Sequence, residues 1–173
     1  EFNLKDVNLA PPIFDTAKLT WFNGEYIRRT ENSDLKTEIY EFFARKYEED
    51  IIEKTIPLVK ERLKTLKDYL ELAGFFFSEP KIDLEMVTDQ DKKHLSAAAQ
   101  IVENSEWKVE ALQARLLKAI KDNNFKTGDF FMSLRVAICG SRVTPPIVES
   151  MVILGKEKTL ERLRNALGLI SNF

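Results

Sequence analysis

Residues 133–164 read SLRVAICGSRVTPPIVESMVILGKEKTLERLR, and this stretch predicts two helices joined by a turn. The first apolar run ends at Gly140, and glycine adopts the left-handed conformation beyond a helix end without steric cost. Pro145 suits the first position of the next helix, where its missing N–H is harmless, and Thr144 is a plausible N-cap. The stretch therefore predicts a helical corner between Gly140 and Pro145.

Two further helix ends follow from the same stretch. Gly155 is predicted to end the helix that opens at Pro145, because Ile147, Met151 and Leu154 recur at helical spacing up to that point. Leucines at 160, 163 and 167 then predict a third helix, which runs to Gly168.

The turn itself carries chemistry that suits an anion or the edge of a nucleotide. Ser141, Arg142 and Thr144 lie beside the N-terminus of a predicted helix, where free N–H groups and the helix dipole favour negative charge. Residues 135–164 carry six cationic and three anionic side chains, whereas the whole chain has a net charge of −2. The alternative is an ordinary connection between two helices, and composition alone does not choose between them.

Composition bounds the class of protein. The 173 residues are 44% hydrophobic and 31% charged, which suits a globular domain or two small ones, and no run approaches the roughly 20 apolar residues of a membrane span. We therefore expect a cytoplasmic protein without a membrane partner. A single cysteine and a single histidine exclude an internal disulfide and a four-ligand zinc site, so Cys139 is predicted to be a small buried hydrophobe.

The rest of the chain shows helical periodicity, no strand pattern and no repeat, so the predicted fold class is all-α. Asp15 is predicted to cap a short helix with Leu19 and Trp21 or Phe22 inward, followed by a turn at residues 23–24. Later helices are predicted to begin near Ser33, Asp50, Thr65, Asp91, Ser105 and Thr127, with an interruption at Pro57, a stop at Gly74 and Phe42 facing inward. His94 is predicted to lie at the surface. Residues 1–12 are predicted to form an extended lead-in.

Three segments resemble one family. Residues 134–167, LRVAICGSRVTPPIVESMVILGKEKTLERLRNAL, resemble the C-terminal anticodon-binding region of bacterial-type glutamyl-tRNA synthetases, which are class I aminoacyl-tRNA synthetases. Residues 14–29, FDTAKLTWFNGEYIRR, resemble a second signature of that family, and residues 56–77, IPLVKERLKTLKDYLELAGFFF, a weaker third. The matches fall in the family's order and cover nearly the whole chain.

The resemblance implies an architecture of two small helical subdomains that form an anticodon-binding α-helix cage. Residues 1–30 would be the end of the stem-contact region and a linker, residues 31–80 the first anticodon-binding subdomain, and residues 81–173 the second. The full-length parent would be glutamate–tRNA ligase, which attaches glutamate to its tRNA with ATP and Mg. This portion would lack the catalytic domain, bind no cofactor or metal and catalyse nothing alone, since the family's nucleotide-binding motifs are absent from the sequence.

The resemblance also implies roles for individual residues. Arg62, within Arg-Leu-Lys-Thr-Leu, would read the last anticodon base, and a guanidinium suits this because its planar fork of donors engages a base edge bidentately. The first two bases would be surrounded by Arg135, Thr144, Pro145 and Ile147, with Arg142 as a local addition. The chain departs from the family pattern at Cys139 and at residues 146–148, where Thr and Gly-Leu-Phe are common.

The implied partner is tRNA for glutamate, bound by a monomer. Some relatives without the arginine at the position of Arg62 also charge tRNA for glutamine; its presence favours the stricter specificity, with glutamine tRNA left open as a second partner. An alternative reading is a helical protein-interaction module that kept the fold without RNA binding. A small helical enzyme has only the carboxylates of residues 48–50 in its favour, a pattern more typical of a solvated helix end.

Overall fold

The computed structural model describes residues 15–82 and 88–171, and in these ranges the chain folds entirely into helices, turns and short loops. The α-helices are α1 (Thr16–Arg29), α2 (Asn32–Phe42), α3 (Glu49–Val59), α4 (Asp68–Ala73), α5 (Asp89–Asn104), α6 (Val109–Asp122), α7 (Thr127–Cys139), α8 (Ile147–Leu154) and α9 (Lys156–Ser171). Two 3-10 turns, Lys60–Arg62 and Gly74–Phe76, follow α3 and α4. The all-α prediction is confirmed. No helix in the described ranges is long and apolar enough to cross a membrane.

The first half is built on the pair α2 and α3. Leu35 and Ile39 of α2 are fully buried, as are Ile52 and Ile56 of α3, and the two helices pack along these faces. Full burial of such a side chain stabilises the fold by about 1.5–3 kcal/mol. The interruption predicted at Pro57 occurs within one helical turn after that residue: α3 ends at Val59, and a 3-10 turn follows it.

The second half is organised around α5, which packs against α6, α7 and α9. Thr88 and Asp91 form a reciprocal capping box at the start of α5, in which each side chain accepts a hydrogen bond from the backbone N–H of the other residue. Ala98 is fully buried on the face of α5, and its small side chain lets the neighbouring helices approach closely. Gly140 ends α7 with φ 68°, as predicted.

The hydrophobic core runs through both halves. Helices α3 and α8 are in contact, and one cluster of buried residues includes members of α2, α3 and α5 to α9 together with Phe75 and Phe76. The predicted subdomain boundary at residues 80–81 stays a prediction; residues 83–87, which follow it closely, lie outside the described ranges. The lead-in predicted for residues 1–12 also lies outside them.

Helix α1 differs from its prediction. Asp15 does cap it by accepting a hydrogen bond from the Lys18 N–H, but the helix then runs straight through Gly24 to Arg29. Gly24 is buried inside α1 and forms no turn; a Cβ there would lie 3.3 Å from the Arg28 guanidinium and 3.4 Å from the Leu63 carbonyl oxygen, so this face of the helix packs against the segment that carries Leu63. The large apolar side chains predicted to face inward are exposed instead: Leu19, Trp21 and Phe22, together with Tyr26. Only the face of α1 that carries Gly24 and Ile27 is buried.

His94 is buried, contrary to its predicted surface position. Its ring packs edge-on against Phe125 and Phe130, and Nδ1 lies 2.8 Å from the Ser133 hydroxyl oxygen. Ser133 in turn hydrogen-bonds the Asp91 carboxylate, so the imidazole proton belongs on Nδ1. Nε2 has no hydrogen-bond partner among the residues that the structure describes. Burial lowers the pKa of His94, although Asp91 and Asp129 oppose the shift.

Three other local predictions are wrong, and a fourth, at Gly74, holds. Ser105 does not open α6 but follows the end of α5, where its hydroxyl bonds the Ile101 carbonyl. The stop predicted at Gly74 is confirmed, because α4 ends at Ala73 with Gly74 as its C-cap; Gly74 has a right-handed φ of −60° and a 3-10 turn follows. Helix α9 passes Gly168, since a helix packed along one face tolerates an exposed glycine. Phe42 is half exposed at the end of α2, although Phe43 packs against the core.

Candidate nucleic-acid interface

The structure brings Arg62 against the loop that follows α7. Arg62 ends the 3-10 turn after α3, and its Nη1 donates a hydrogen bond of 2.8 Å to the Thr144 carbonyl. The arginine side chain is otherwise exposed, so donors of its guanidinium remain directed to solvent. The two segments singled out in the sequence, 82 residues apart, therefore meet at one surface.

Residues 140–146, here called the recognition loop, form a compact turn. The Ser141 hydroxyl donates to the Val143 carbonyl at 3.1 Å and accepts from the Val143 N–H at 3.2 Å. Arg142 and Val143 between these contacts are exposed, Val143 by 68%. The loop therefore presents the cation of Arg142 and the apolar side chains of Val143 and Pro146 to solvent.

The predicted helix start at Thr144 and Pro145 is wrong. Helix α8 begins at Ile147 with Pro146 in the capping position, and the Thr144 hydroxyl bonds the Pro145 carbonyl and caps nothing. The cause is the Pro-Pro pair: the residue before a proline is disfavoured in the α-helical region, so Pro145 cannot open a helix that would continue through Pro146. Thr144, Pro145 and Ile147 are all buried and support the recognition loop from inside.

Arg135 is half-buried on α7, one turn before Cys139. Its guanidinium makes no hydrogen bond or ion pair with any residue in the described ranges. The structure thus brings together Arg62, Arg142 and Thr144, whereas no hydrogen bond links Arg135 to this group within those ranges. Burial raises the pKa of the Cys139 thiol to about 12, which leaves it neutral and confirms its prediction as a small buried hydrophobe.

A cleft of about 350 Å³ lies beside the recognition loop. Its first wall comprises residues 70–81, and its second wall comprises residues 139–144; the polar residues among them are Glu71, Ser78, Glu79, Lys81, Ser141 and Thr144. The walls touch at Gly140, where a Cβ would lie 2.8 Å from the Lys81 carbonyl oxygen and 2.9 Å from Pro80 Cβ. Sequence reasoning missed the first wall, because its approach to Gly140 is a long-range contact without a local signal.

Arg162 is the other residue that the sequence misplaced. Arg162 is among the basic side chains counted in residues 135–164. Its side chain is only 1% exposed, so it contributes no charge to the surface. Its position within α9 gives no sign of this, since its neighbours Glu161 and Arg164 are exposed. A buried arginine is detectable only once its carbonyl partners are in place.

Comparison with known proteins assigns the fold to a family. A family model described as "Anticodon binding domain" matches residues 25–167, which is most of the chain. The chain belongs to this family. The domain is also similar in sequence to proteins named glutamate–tRNA ligase, one from Elusimicrobium minutum at 35% identity over 179 residues and one from Treponema denticola at 29% over 202 residues. Each alignment covers 96% of this chain.

The anticodon-binding domain spans only part of these relatives, 36% of the Elusimicrobium protein and 40% of the Treponema protein, at their C-terminal ends. A crystal structure of a glutamate tRNA ligase from Elizabethkingia meningosepticum, in complex with its amino acid, has the same fold, with a TM-score of 0.82 at 22% identity. That match covers 98% of this chain and 36% of the other. The resemblance identified from the three sequence segments is confirmed.

Proposed function

We propose that this chain recognises the anticodon loop of tRNA for glutamate as part of a glutamate–tRNA ligase. The observation that carries the proposal is the Arg62 hydrogen bond to the Thr144 carbonyl, which joins two distant segments into one exposed surface. Membership of the anticodon-binding family supports the kind of ligand, and the named relatives support the amino acid. The cleft beside the recognition loop supplies concave space next to that surface.

The proposed roles follow from exposure. Anticodon bases splayed from their loop are stacked on apolar or guanidinium surfaces and read on their edges. Arg62 retains free donors for the last base, and Arg142 with Val143 offers a cation and an apolar contact for the first two. Thr144, Pro145 and Ile147 are buried, so their side chains shape the recognition loop without facing solvent. Arg135 would help through its charge.

The chemistry of aminoacylation is proposed to lie outside this chain. ATP and Mg would bind a catalytic region of the parent enzyme, a cytoplasmic monomer. Within the described ranges there is no group of three or more His, Cys, Asp or Glu side chains that could hold a metal ion. The sequence also has no glycine-rich phosphate-binding loop. The role proposed for the residues of this chain is RNA binding alone.

Titration with two RNA hairpins tests the proposal. One hairpin carries the anticodon stem and loop of a glutamate tRNA, and the other has the three anticodon bases replaced. We expect tighter, salt-sensitive binding of the first. Equal affinity for both would overturn base recognition.

The alternative of a protein-interaction module has one observation in its favour. Trp21, Phe22 and Tyr26 form an exposed aromatic face on α1, away from the recognition loop in sequence. If the titration shows equal affinities, this face becomes the better candidate for the chain's binding surface.

A further inference from the structure

The guanidinium of Arg162 is a buried cation held chiefly by main-chain carbonyls. Nη1 donates to the Ile138 carbonyl at 2.8 Å, while Nη2 donates to the carbonyls of Phe75 at 2.8 Å and Ser78 at 3.1 Å. Nε forms an ion pair with Glu79, whose carboxylate oxygen lies 3.5 Å away, but it makes no hydrogen bond with the described residues. Burial lowers the pKa of Arg162 and Glu79 opposes the shift, but arginine stays protonated at neutral pH. Such burial is costly and calls for a reason.

Two of the three carbonyls, those of Phe75 and Ser78, belong to the first wall of the cleft, and the third, that of Ile138, immediately precedes the second wall. Ile138 lies in the last turn of α7, where carbonyls have no partner within the helix, and it comes two residues before Gly140. Phe75 lies within the 3-10 turn Gly74–Phe76, and Ser78 follows this turn two residues before Pro80. One guanidinium therefore holds the base of the recognition loop with one nitrogen and the opposite wall with the other.

Two further contacts close the same unit. The walls meet where Gly140 packs on Lys81, and Arg62 holds the far end of the recognition loop at the Thr144 carbonyl. The guanidinium fork is planar and rigid, so its donors fix the distance between the carbonyls they bind. Lys158, one turn earlier on α9, also reaches the first wall at the Phe76 carbonyl.

We propose that Arg162 is a positioning residue for RNA recognition. It sets the separation between the two cleft walls and thereby the place of the recognition loop relative to Arg62. The inference rests on the proposed function, because it concerns the same surface. Arg162 itself touches no RNA, since its side chain is sealed inside the domain.

The test uses Arg162→Lys. Lysine keeps the charge but has one nitrogen in place of the fork, so it cannot hold both walls in the same geometry. The readout is the discrimination ratio, the Kd for the hairpin with a changed last anticodon base divided by the Kd for the unchanged hairpin. We expect the ratio to fall by about threefold or more while the Kd for the changed hairpin moves by less than about twofold.

A matched control separates positioning from stability. Leu116 is fully buried on α6 and lines neither wall, so Leu116→Ala or Leu116→Val, whichever melts closest to Arg162→Lys, should keep the wild-type ratio. Amide hydrogen exchange adds a reading without RNA: residues 141–144 should exchange faster in Arg162→Lys and not in the control. This second reading applies even to a weakly binding variant.

Each outcome has a distinct meaning. Unchanged discrimination and unchanged exchange in Arg162→Lys would overturn the positioning role while leaving RNA recognition intact. Equal loss of discrimination in the matched control would overturn it too, because stability alone would then explain the effect. If the wild-type chain fails to discriminate between the hairpins, the proposed function and this inference both fall.

Discussion

At the scale of single residues, Arg62 is exposed and yet fixed. Its hydrogen bond to the Thr144 carbonyl restrains the guanidinium before any RNA arrives, which reduces the side-chain entropy lost on binding. The remaining donors stay free. A flexible lysine at this position would offer a charge without that preset direction.

Replacing Arg62 should affect specificity more than stability. Arg62→Gln removes one hydrogen bond at a largely exposed site, worth about 0.5–1.5 kcal/mol, so the melting temperature should fall by only a few degrees. Discrimination at the last anticodon base should fall by about 1–3 kcal/mol, the worth of a bidentate contact. Hairpin titration and thermal melting measure the two effects. Lys67→Gln, an exposed cation nearby, is the control, and a large loss of melting temperature in Arg62→Gln would make Arg62 structural.

His94 should make the fold sensitive to mild acid. Because burial lowers the pKa of His94 in the folded state, the unfolded chain binds the proton more readily below about pH 6.5. Stability is therefore complete above that pH and declines as the pH falls towards the folded-state pKa, by up to about 1.4 kcal/mol per pH unit. Hydrogen bonds from Ser133 and Thr88 outweigh burial and lower the pKa of Asp91, whose contribution is lost only at more acidic pH.

Urea unfolding at pH 7 and pH 5 checks this for His94→Gln. The variant should be less stable at pH 7 but lose less stability between the two pH values than the wild type. Parallel losses in both proteins would show that His94 does not control the effect.

The burial of some residues was predictable from their neighbours in the sequence, and the burial of others was not. Burial of Cys139 was predictable, because it lies in an apolar run that must face a core. His94 and Arg162 were not, since their partners Ser133 and Phe75 lie 39 and 87 residues away in the chain. Polar residues become buried only where a distant segment satisfies them, and periodicity carries no information about that.

At the scale of elements, the end of α7 is fixed by Gly140. Gly140→Ala places a Cβ at φ 68° and 2.8 Å from the Lys81 carbonyl, so it should destabilise the fold by about 1–2 kcal/mol or more. Gly168→Ala is the matched control, because nothing lies within 4 Å of its Cβ and α9 is helical there. This control should stabilise by about 0.5–1 kcal/mol. Urea unfolding measures both, and equal effects would contradict the close approach of the two cleft walls.

Element ends were predictable where the signal is local and single. Gly140, Gly155 and Asp15 act through their own backbone or side chain, and the structure follows each of them. The start of α8 was missed because Pro145 favours a helix start while the following Pro146 opposes it. The path of α1 through Gly24 was missed because it depends on tertiary packing against Leu63.

At the scale of the whole molecule, the acidic balance limits non-specific binding. A net charge of −2 leaves few cations to neutralise phosphates, so RNA affinity should depend on a small set that includes Arg62 and Arg142. With about three phosphate contacts, the logarithm of the binding constant should fall with the logarithm of salt at a slope of about −2.

Titrations between about 50 and 200 mM salt measure that slope. Arg142→Gln removes about one phosphate contact and should therefore make the salt-dependence slope shallower. A slope of zero, or one as steep as that of a general nucleic-acid coat protein, would contradict the small interface.

The global arrangement was predictable in class and family but not in detail. Helical periodicity alone indicates an all-α fold, and the three segment motifs indicate the family. The sequence did not show that the core is continuous from α3 to α8, because that continuity rests on contacts between helices far apart in the chain. The same contacts bring Arg62 to Thr144.

The chain's two tryptophans sit in opposite surroundings. Trp21 on α1 is 59% exposed, whereas Trp107 is partly buried and its indole N–H donates to the Val152 carbonyl at 3.2 Å. Their fluorescence should therefore separate: dissolved iodide should quench a long-wavelength component from Trp21 and spare a shorter-wavelength component from Trp107. A ligand that covers α1 would protect Trp21 from iodide and leave the emission of Trp107 unchanged. Trp21 fluorescence therefore reports binding at α1, and Trp107 fluorescence serves as the internal reference.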